Sequence, residues 1–288
     1  MSASMPQADL TDPRTLRSVS QHAGLRRSRR MSQNFLVDGE ALEFIVSALE
    51  VSSDDEVFEI GCGVGTLTGA LASRAARVLA VDVDPACVRA TMHTQRSRDN
   101  VTVIRADARS VDPMDHGFTA PWLATGNLPY HLTGPLLSHL LELPIPPARA
   151  VVLMQREVAA RLAAEAGDWS LATVAIRSLA SVERLRELPP ESFDPAPAVH
   201  SSVVRLRPAP VLAPDARRAV LAIARAAFQV RRKTLRHGAA RALGGDLTAS
   251  VQALSAAGID PARRPGTLHL DEWQRLASAV AEVSGPDP

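Results

Sequence analysis

The stretch TGNLPYHLTG, residues 125 to 134, places an amide, a proline and the chain's one tyrosine directly after the apolar run APWLATGN. The side-chain oxygen of Asn127 and a neighbouring backbone carbonyl, most simply that of Leu128, can accept both hydrogens of one exocyclic amine. An amine conjugated to a purine ring is a poor nucleophile because its lone pair is delocalised. Accepting its hydrogens favours a pyramidal nitrogen and exposes that pair, after which in-line attack on a methyl carbon depends largely on orientation. Pro129 stiffens the turn. Tyr130 offers a flat face for an extruded base, a contact worth ~1–3 kcal/mol. Asn and Pro are also ordinary turn residues, so the chemical reading depends on what lies beside them.

A second group supplies that context. EIGCGVGTLT, residues 59 to 68, ends one apolar strand and opens a helix, with Gly61, Gly63 and Gly65 spaced G-x-G-x-G. Dinucleotide sites use G-x-G-x-x-G to seat a pyrophosphate, and this spacing points away from NAD. Asp82 ends the next strand, 21 positions after Gly61, near the ~20-residue offset at which an acid meets ribose hydroxyls. Asp107 follows the third strand, where it can accept from an adenine amine. An adenosine ligand without a pyrophosphate implies S-adenosylmethionine. Asp84 reads better as a helix cap.

The elements that must hold these groups are legible in outline. EVFEI (56–60), RVLAVDV (77–83), VTVIRA (101–106), PWLATG (121–126) and ARAVVLMQ (148–155) are short, β-branched and mostly apolar on both faces, as strands covered on both sides are. Helical patterns at 66–76 and 134–143 alternate with them, which predicts an α/β fold with a doubly wound, mostly parallel sheet. Helices are expected over 156–166 and 169–180. Two strands, SVERLREL and SSVVRLRP, follow around a proline-rich loop and are expected to form an antiparallel edge pair. After Pro214 only helical patterns occur, so a small all-helical C-terminal domain begins within PAPVLAP.

Composition sets the limits. The 288 residues are 46% hydrophobic and 22% charged, a globular composition with no run near the ~20 apolar residues of a membrane span. The N-terminus lacks the apolar core of a secretory signal. Two cysteines, Cys62 and Cys87, are too few for a disulfide framework and lack metal-ligand spacing, so a cytoplasmic, metal-free protein is expected. Net charge is only +1, yet no acid lies between Asp12 and Asp38 or between Phe228 and Arg241. Arg231, Arg232, Lys233 and Arg236 are expected to meet phosphates, with Arg26, Arg27, Arg29 and Arg30 as a mobile arm; solvated arginine faces in an Arg-rich chain are the alternative.

Taken in order, MSQNFLVD, EIGCGVGTLT, VDVD, ADA, GNLPY, LMQREVAARL, PPESFDPAPAVHSSVVRL and FQVRRKTLR resemble the ribosomal RNA adenine N6,N6-dimethyltransferases, in particular the KsgA type, with the Erm-type macrolide-resistance enzymes as close relatives. The resemblance runs from about Arg29 to Val280. It implies a class I (Rossmann-like) methyltransferase fold and S-adenosylmethionine as methyl donor. It divides the chain into a basic, flexible arm (1–30), a methyltransferase domain (31–210) and a helical RNA-binding domain (211–288). In the family the QNFL segment closes over the donor, which carries Gln33, Asn34 and Leu36 into the site. Gly61, Gly63, Gly65, Asp82, Asp107 and Asn127 fall at donor-binding positions, Tyr130 at a stacking aromatic, and Phe193 at a second aromatic beyond the target base. Cys62 replaces the usual proline, and His131 stands where asparagine is common.

The leading expectation is dimethylation of two adjacent adenines in small-subunit ribosomal RNA, within a precursor subunit, by a monomer that meets no membrane. An Erm-like enzyme acting on large-subunit RNA and a non-catalytic RNA-binding assembly factor remain the alternatives.

Overall fold

In chain order the computed structural model, which describes residues 9–25, 34–165 and 167–284, contains α1 (Pro13–His22), β1 (Phe35–Leu36), α2 (Gly39–Leu49), β2 (Glu56–Ile60), α3 (Thr66–Ala72), β3 (Arg77–Asp82), α4 (Pro85–Thr94), β4 (Val101–Arg105), β5 (Leu123–Asn127), α5 (Thr133–Glu142), β6 (Arg149–Gln155), α6 (Arg156–Ala163), α7 (Leu171–Arg177), β7 (Ala180–Leu188), β8 (Phe193–Asp194), β9 (Ser201–Pro208), α8 (Pro214–Phe228), α9 (Leu235–Ala242), α10 (Leu247–Ala256) and α11 (Leu270–Ser284). Local sequence explains many boundaries. Asp38 and Asp84 cap α2 and α4 through the Ala41 and Ala86 amides, and Pro85 opens α4, which satisfies amides that have no partner inside the helix.

The main sheet runs β4-β3-β2-β5-β6-β9-β7. Pairs β4/β3, β3/β2, β2/β5 and β5/β6 are parallel, and β6/β9 is antiparallel. Strands β2, β3, β5 and β6 bury nearly every residue, which accounts for their unbroken apolar runs. Of the two late strands, β9 runs antiparallel against β6 and leaves β7 at the edge. A second, two-stranded sheet pairs β1 with β8, Leu36 opposite Phe193; two-residue strands carry no periodic signal, and the sequence reading has no counterpart to it.

Contacts divide the described residues into two compact units: those up to Ala159 with Glu183–Pro208, and those of Ala160–Val182 with the ones from Ala209 to Ser284. The first holds a core in which Ile45, Leu49, Val57, Leu71, Val151 and Val203 are fully buried. The second is built around Trp273 and includes Trp169 and Val174. Residues 160–182, read from sequence as part of the methyltransferase domain, therefore pack with the C-terminal helices, because α7 buries its apolar face in that core. Within the stretch expected as an N-terminal arm, α1 forms, and Leu16 and Leu25 are buried beside Ala86, Cys87 and Ala90 of α4. Arg26, Arg27, Arg29, Arg30 and Gln33 lie outside the described residues. Among the described residues no helix is long and apolar enough to cross a membrane.

Candidate active site

Strand order reverses between β2, which continues outward to β3, and β5, which continues to β6. Ligands of open α/β sheets bind outside the carboxyl ends of the strands at such a point. A crevice opens there, lined by Asn34, Phe35, Leu36, Gly61, Cys62, Gly63, Asp82, Val83, Asp107, Asn127 and Pro129, with Glu59 and Thr66 at its polar base.

The glycine loop leaves β2 with positive φ at Gly61 (79°) and Gly63 (58°), a region that favours glycine. A Cβ at Gly63 would come within 3.1 Å of the Phe35 ring. The loop is held from behind: Thr91 Oγ1 donates to Gly63 O, Thr94 Oγ1 to Val64 O and Gln95 Nε2 to Gly65 O, each at 3.0 Å. Gly65 does not line the crevice. It sits at the N-cap of α3, where a Cβ would approach Thr94 Oγ1 to 2.6 Å, so its place in the donor-binding set gives way to a packing role.

Asp82 anchors the loop. Its Oδ2 accepts from Gly63 N at 3.1 Å and its Oδ1 from Asp84 N at 2.9 Å. Burial pushes its carboxyl up, and the two backbone donors oppose this. The Asp107 carboxyl is lowered from its ordinary value, chiefly by Arg109, whose Nη2 contacts Oδ2 at 2.6 Å and whose backbone amide contacts Oδ1 at 3.0 Å. Glu59, 1% exposed, was passed over in the sequence reading although it is the one acid within the apolar end of β2. Burial pushes its carboxyl up to about 8. Glu59 Oε2 and Thr66 Oγ1 have no hydrogen-bond partner among the described residues. Burial also pushes both crevice thiols, Cys62 and Cys87, upward, so neither has the thiolate character of a nucleophile.

Asn127 ends β5. Its Nδ2 donates to the backbone oxygen of Asn34 at 2.8 Å. Only the NH2 end of the amide can donate to a carbonyl, so the contact determines which end faces away. Gly126 precedes it, where a Cβ would lie 2.2 Å from Ile60 O; glycine is what allows β5 to end against β2. The backbone of Leu128 donates to Leu153 O at 3.0 Å and its side chain is buried, while Pro129 lines the crevice. Tyr130 is half-buried just outside the crevice, its hydroxyl 3.0 Å from Ser201 Oγ, and burial pushes its phenol up. Phe193 departs from expectation. It is 3% exposed and packs in the core with Leu36, Leu153 and Val203, so its ring backs the β1 segment instead of presenting a face. Arg231, Arg232, Lys233 and Arg236 are all exposed between and along α8 and α9. Among the described residues no three metal-ligating side chains converge.

A glycine loop behind an open crevice, acids at the ends of successive parallel strands and an Asn-Leu-Pro-Tyr turn at the switch point define a Rossmann-like methyltransferase. The model of the family described as ribosomal RNA adenine dimethylase matches residues 24–282. The chain belongs to that family. It is 37% identical over 291 residues to the ribosomal RNA small subunit methyltransferase A of Pelotomaculum thermopropionicum, covering 96% of this chain and 99% of the relative. Its identity to the protein of that name from Desulfitobacterium hafniense is 39% over 264 residues, 89% of this chain and 93% of the relative. Among solved structures it resembles the 23S rRNA methyltransferase ErmE (TM-score 0.66, 26% identity, 86% of this chain and 99% of the other). The fold also matches a dimethyladenosine transferase from Plasmodium falciparum (TM-score 0.71, 24% identity, 84% and 95%).

The methyl donor of this rRNA-modifying family is S-adenosylmethionine, and the crevice fits it. The cradle at Gly61 and Gly63 has room that side chains would fill, Asp82 and Asp107 are hydrogen-bond acceptors at the ends of β3 and β4, and the unpartnered Glu59 and Thr66 oxygens suit a hydrogen-bearing portion of the donor.

Proposed function

We propose that this chain dimethylates N6 of two adjacent adenines in small-subunit ribosomal RNA, working as a cytoplasmic monomer on a precursor subunit. The observation that carries the reading is the pinned amide of Asn127 at the mouth of the donor crevice. Bound S-adenosylmethionine supplies an electrophilic methyl group on a sulfonium. Asp82 would hold the ribose hydroxyls and Asp107 the adenine amine, with Asn34, Leu36, Gly61 and Gly63 as the walls. With its nitrogen committed to Asn34, Asn127 turns Oδ1 toward the target amine, and the Leu128 carbonyl takes the second hydrogen. The lone pair is then released for attack on the methyl carbon, where an N–C bond would form as the C–S bond breaks, the neutral thioether leaving and the surplus proton of the nitrogen passing to solvent, and positioning supplies most of the rate. Tyr130 stacks the extruded base, with Pro129 stiffening its turn. Phe193 acts from behind, keeping Leu36 in place. Arg231, Arg232, Lys233 and Arg236 bind phosphates.

The test is incubation with labelled S-adenosylmethionine and separate, unmodified small and large ribosomal subunits, Asn127→Ala serving as control, followed by identification of modified nucleosides. Dimethyladenosine in the small subunit alone is the expected result. Label confined to the large subunit would instead favour the ErmE-like reading that the structural likeness keeps open. Binding without transfer would make the chain an assembly factor.

A further inference from the structure

Ser201 is fully buried, opens β9 and lies opposite Gln155 of β6 in the antiparallel ladder. Its Oγ stands 3.0 Å from the Tyr130 hydroxyl. That is the tyrosine's one side-chain hydrogen bond among the described residues. The two residues are 71 positions apart, yet both are referred to β6: Ser201 through the strand ladder, and the Tyr130 turn through Leu128 N to Leu153 O. A tyrosine ring attached only through its own rotatable bonds can swing about Cβ, whereas a hydrogen bond at the far end holds the ring plane. Ser202, the next residue, points to the opposite face and is also buried, but its Oγ has no partner.

We propose that Ser201 is a positioning residue for methyl transfer, fixing through its hydroxyl the plane of the Tyr130 ring on which the target adenine stacks. The proposal rests on the platform reading of Tyr130 given above. A loose ring would still meet the base, but would present the amine to Asn127 over a range of angles. Loss of the bond should therefore lower turnover on RNA and leave binding of the methyl donor, in a crevice that Tyr130 does not line, unchanged.

Because Tyr130 is the chain's one tyrosine, incorporation of 3-fluorotyrosine places a single fluorine label on this ring, and its ionisation midpoint is read by fluorine NMR. In parallel, kcat and KM are measured for ribosomal RNA and for S-adenosylmethionine. The variants are Ser201→Ala, Tyr130→Phe, their combination, and Ser202→Ala. A hydroxyl beside the phenol favours the phenolate, so Ser201→Ala should raise the midpoint. It should lower kcat on RNA by about fivefold with the KM for the donor unchanged. Tyr130→Phe, which removes the same bond without touching β9, should match that loss, and the combination should lose no more than either change alone. Ser202→Ala should leave all readings at wild type. An unmoved midpoint and wild-type kcat in Ser201→Ala, or losses that add in the combination, would overturn the proposal. Full turnover by Tyr130→Ala would instead remove the platform reading itself, and the proposal with it.

Discussion

The side-chain nitrogen of Asn127 donates to the backbone oxygen of Asn34 over 2.8 Å. Asn34 enters β1, the strand paired with β8, and that pairing is reinforced by Val37 N to Ser192 O at 2.9 Å and by Ser192 Oγ to Asp38 Oδ2 at 2.8 Å. The Asn127 amide is thus tied to the β1 segment, and whatever holds that segment in place also holds the amide.

Asn127→Ala should lower kcat by about 10²-fold or more, since orientation is the main catalytic resource here, with the KM for S-adenosylmethionine within a few fold of wild type. Asn127→Asp keeps an oxygen but cannot donate to Asn34, and should lose comparably. Steady-state kinetics on small-subunit RNA decide the matter; wild-type kcat in the aspartate variant would show that the pinned amide is dispensable.

Glu59 makes stability depend on pH. Its folded value is about 8 against an ordinary 4.5, raised by burial. The folded chain therefore keeps a proton that the unfolded chain releases, and this contribution is full below pH 4.5 and is lost as pH rises through about 8. Glu59→Gln removes the titration. Thermal melts should show wild type losing ground to the glutamine variant across that window, by at most about 1.4 kcal/mol per pH unit. Parallel curves for the two proteins would contradict the assignment.

Gly126→Ala puts a Cβ 2.2 Å from Ile60 O, where backbone must move. A loss of at least about 1–3 kcal/mol is expected in urea unfolding. Any folded fraction should also transfer methyl poorly, because the displaced strand end carries Asn127. Unchanged stability would mean that β5 can slide without penalty.

The exposed turn carrying Arg231, Arg232 and Lys233, with Arg236 beside it, should supply salt-sensitive affinity. Reversing the charge of Arg231, Arg232 and Arg236 should weaken RNA binding and flatten its dependence on salt, by roughly 0.7–0.9 in log–log slope per lost phosphate contact. A filter-binding series over salt concentration measures both; an unaltered slope would move the phosphate contacts elsewhere.

Much of the first unit was legible because its signals are local. The parallel strands announce themselves as short runs buried on both faces, and β2, β3, β4, β5 and β6 fall where those runs are. The glycine loop, Asp82, Asp107 and Asn127 could be placed at one crevice because each sits directly after such a run. Elements whose formation depends on a partner were not found: β1 and β8 are two residues each, and α1 is ordered by a few contacts from Leu16 and Leu25 to α4. Glu59 was overlooked because an acid within a strand shows nothing of its burial.

By itself the sequence determined the chemistry on offer and its rough order around a sheet, because strand-end residues follow periodic apolar runs that any reader can count. Tertiary structure alone decided what those residues touch. It turned the Asn127 amide by means of Asn34, gave Tyr130 its partner in Ser201, buried Phe193 behind Leu36, and moved residues 160–182 into the helical unit. Each of these is a contact between segments distant along the chain. Such a contact depends on the register and packing of several strands at once, and no local run of residues encodes it.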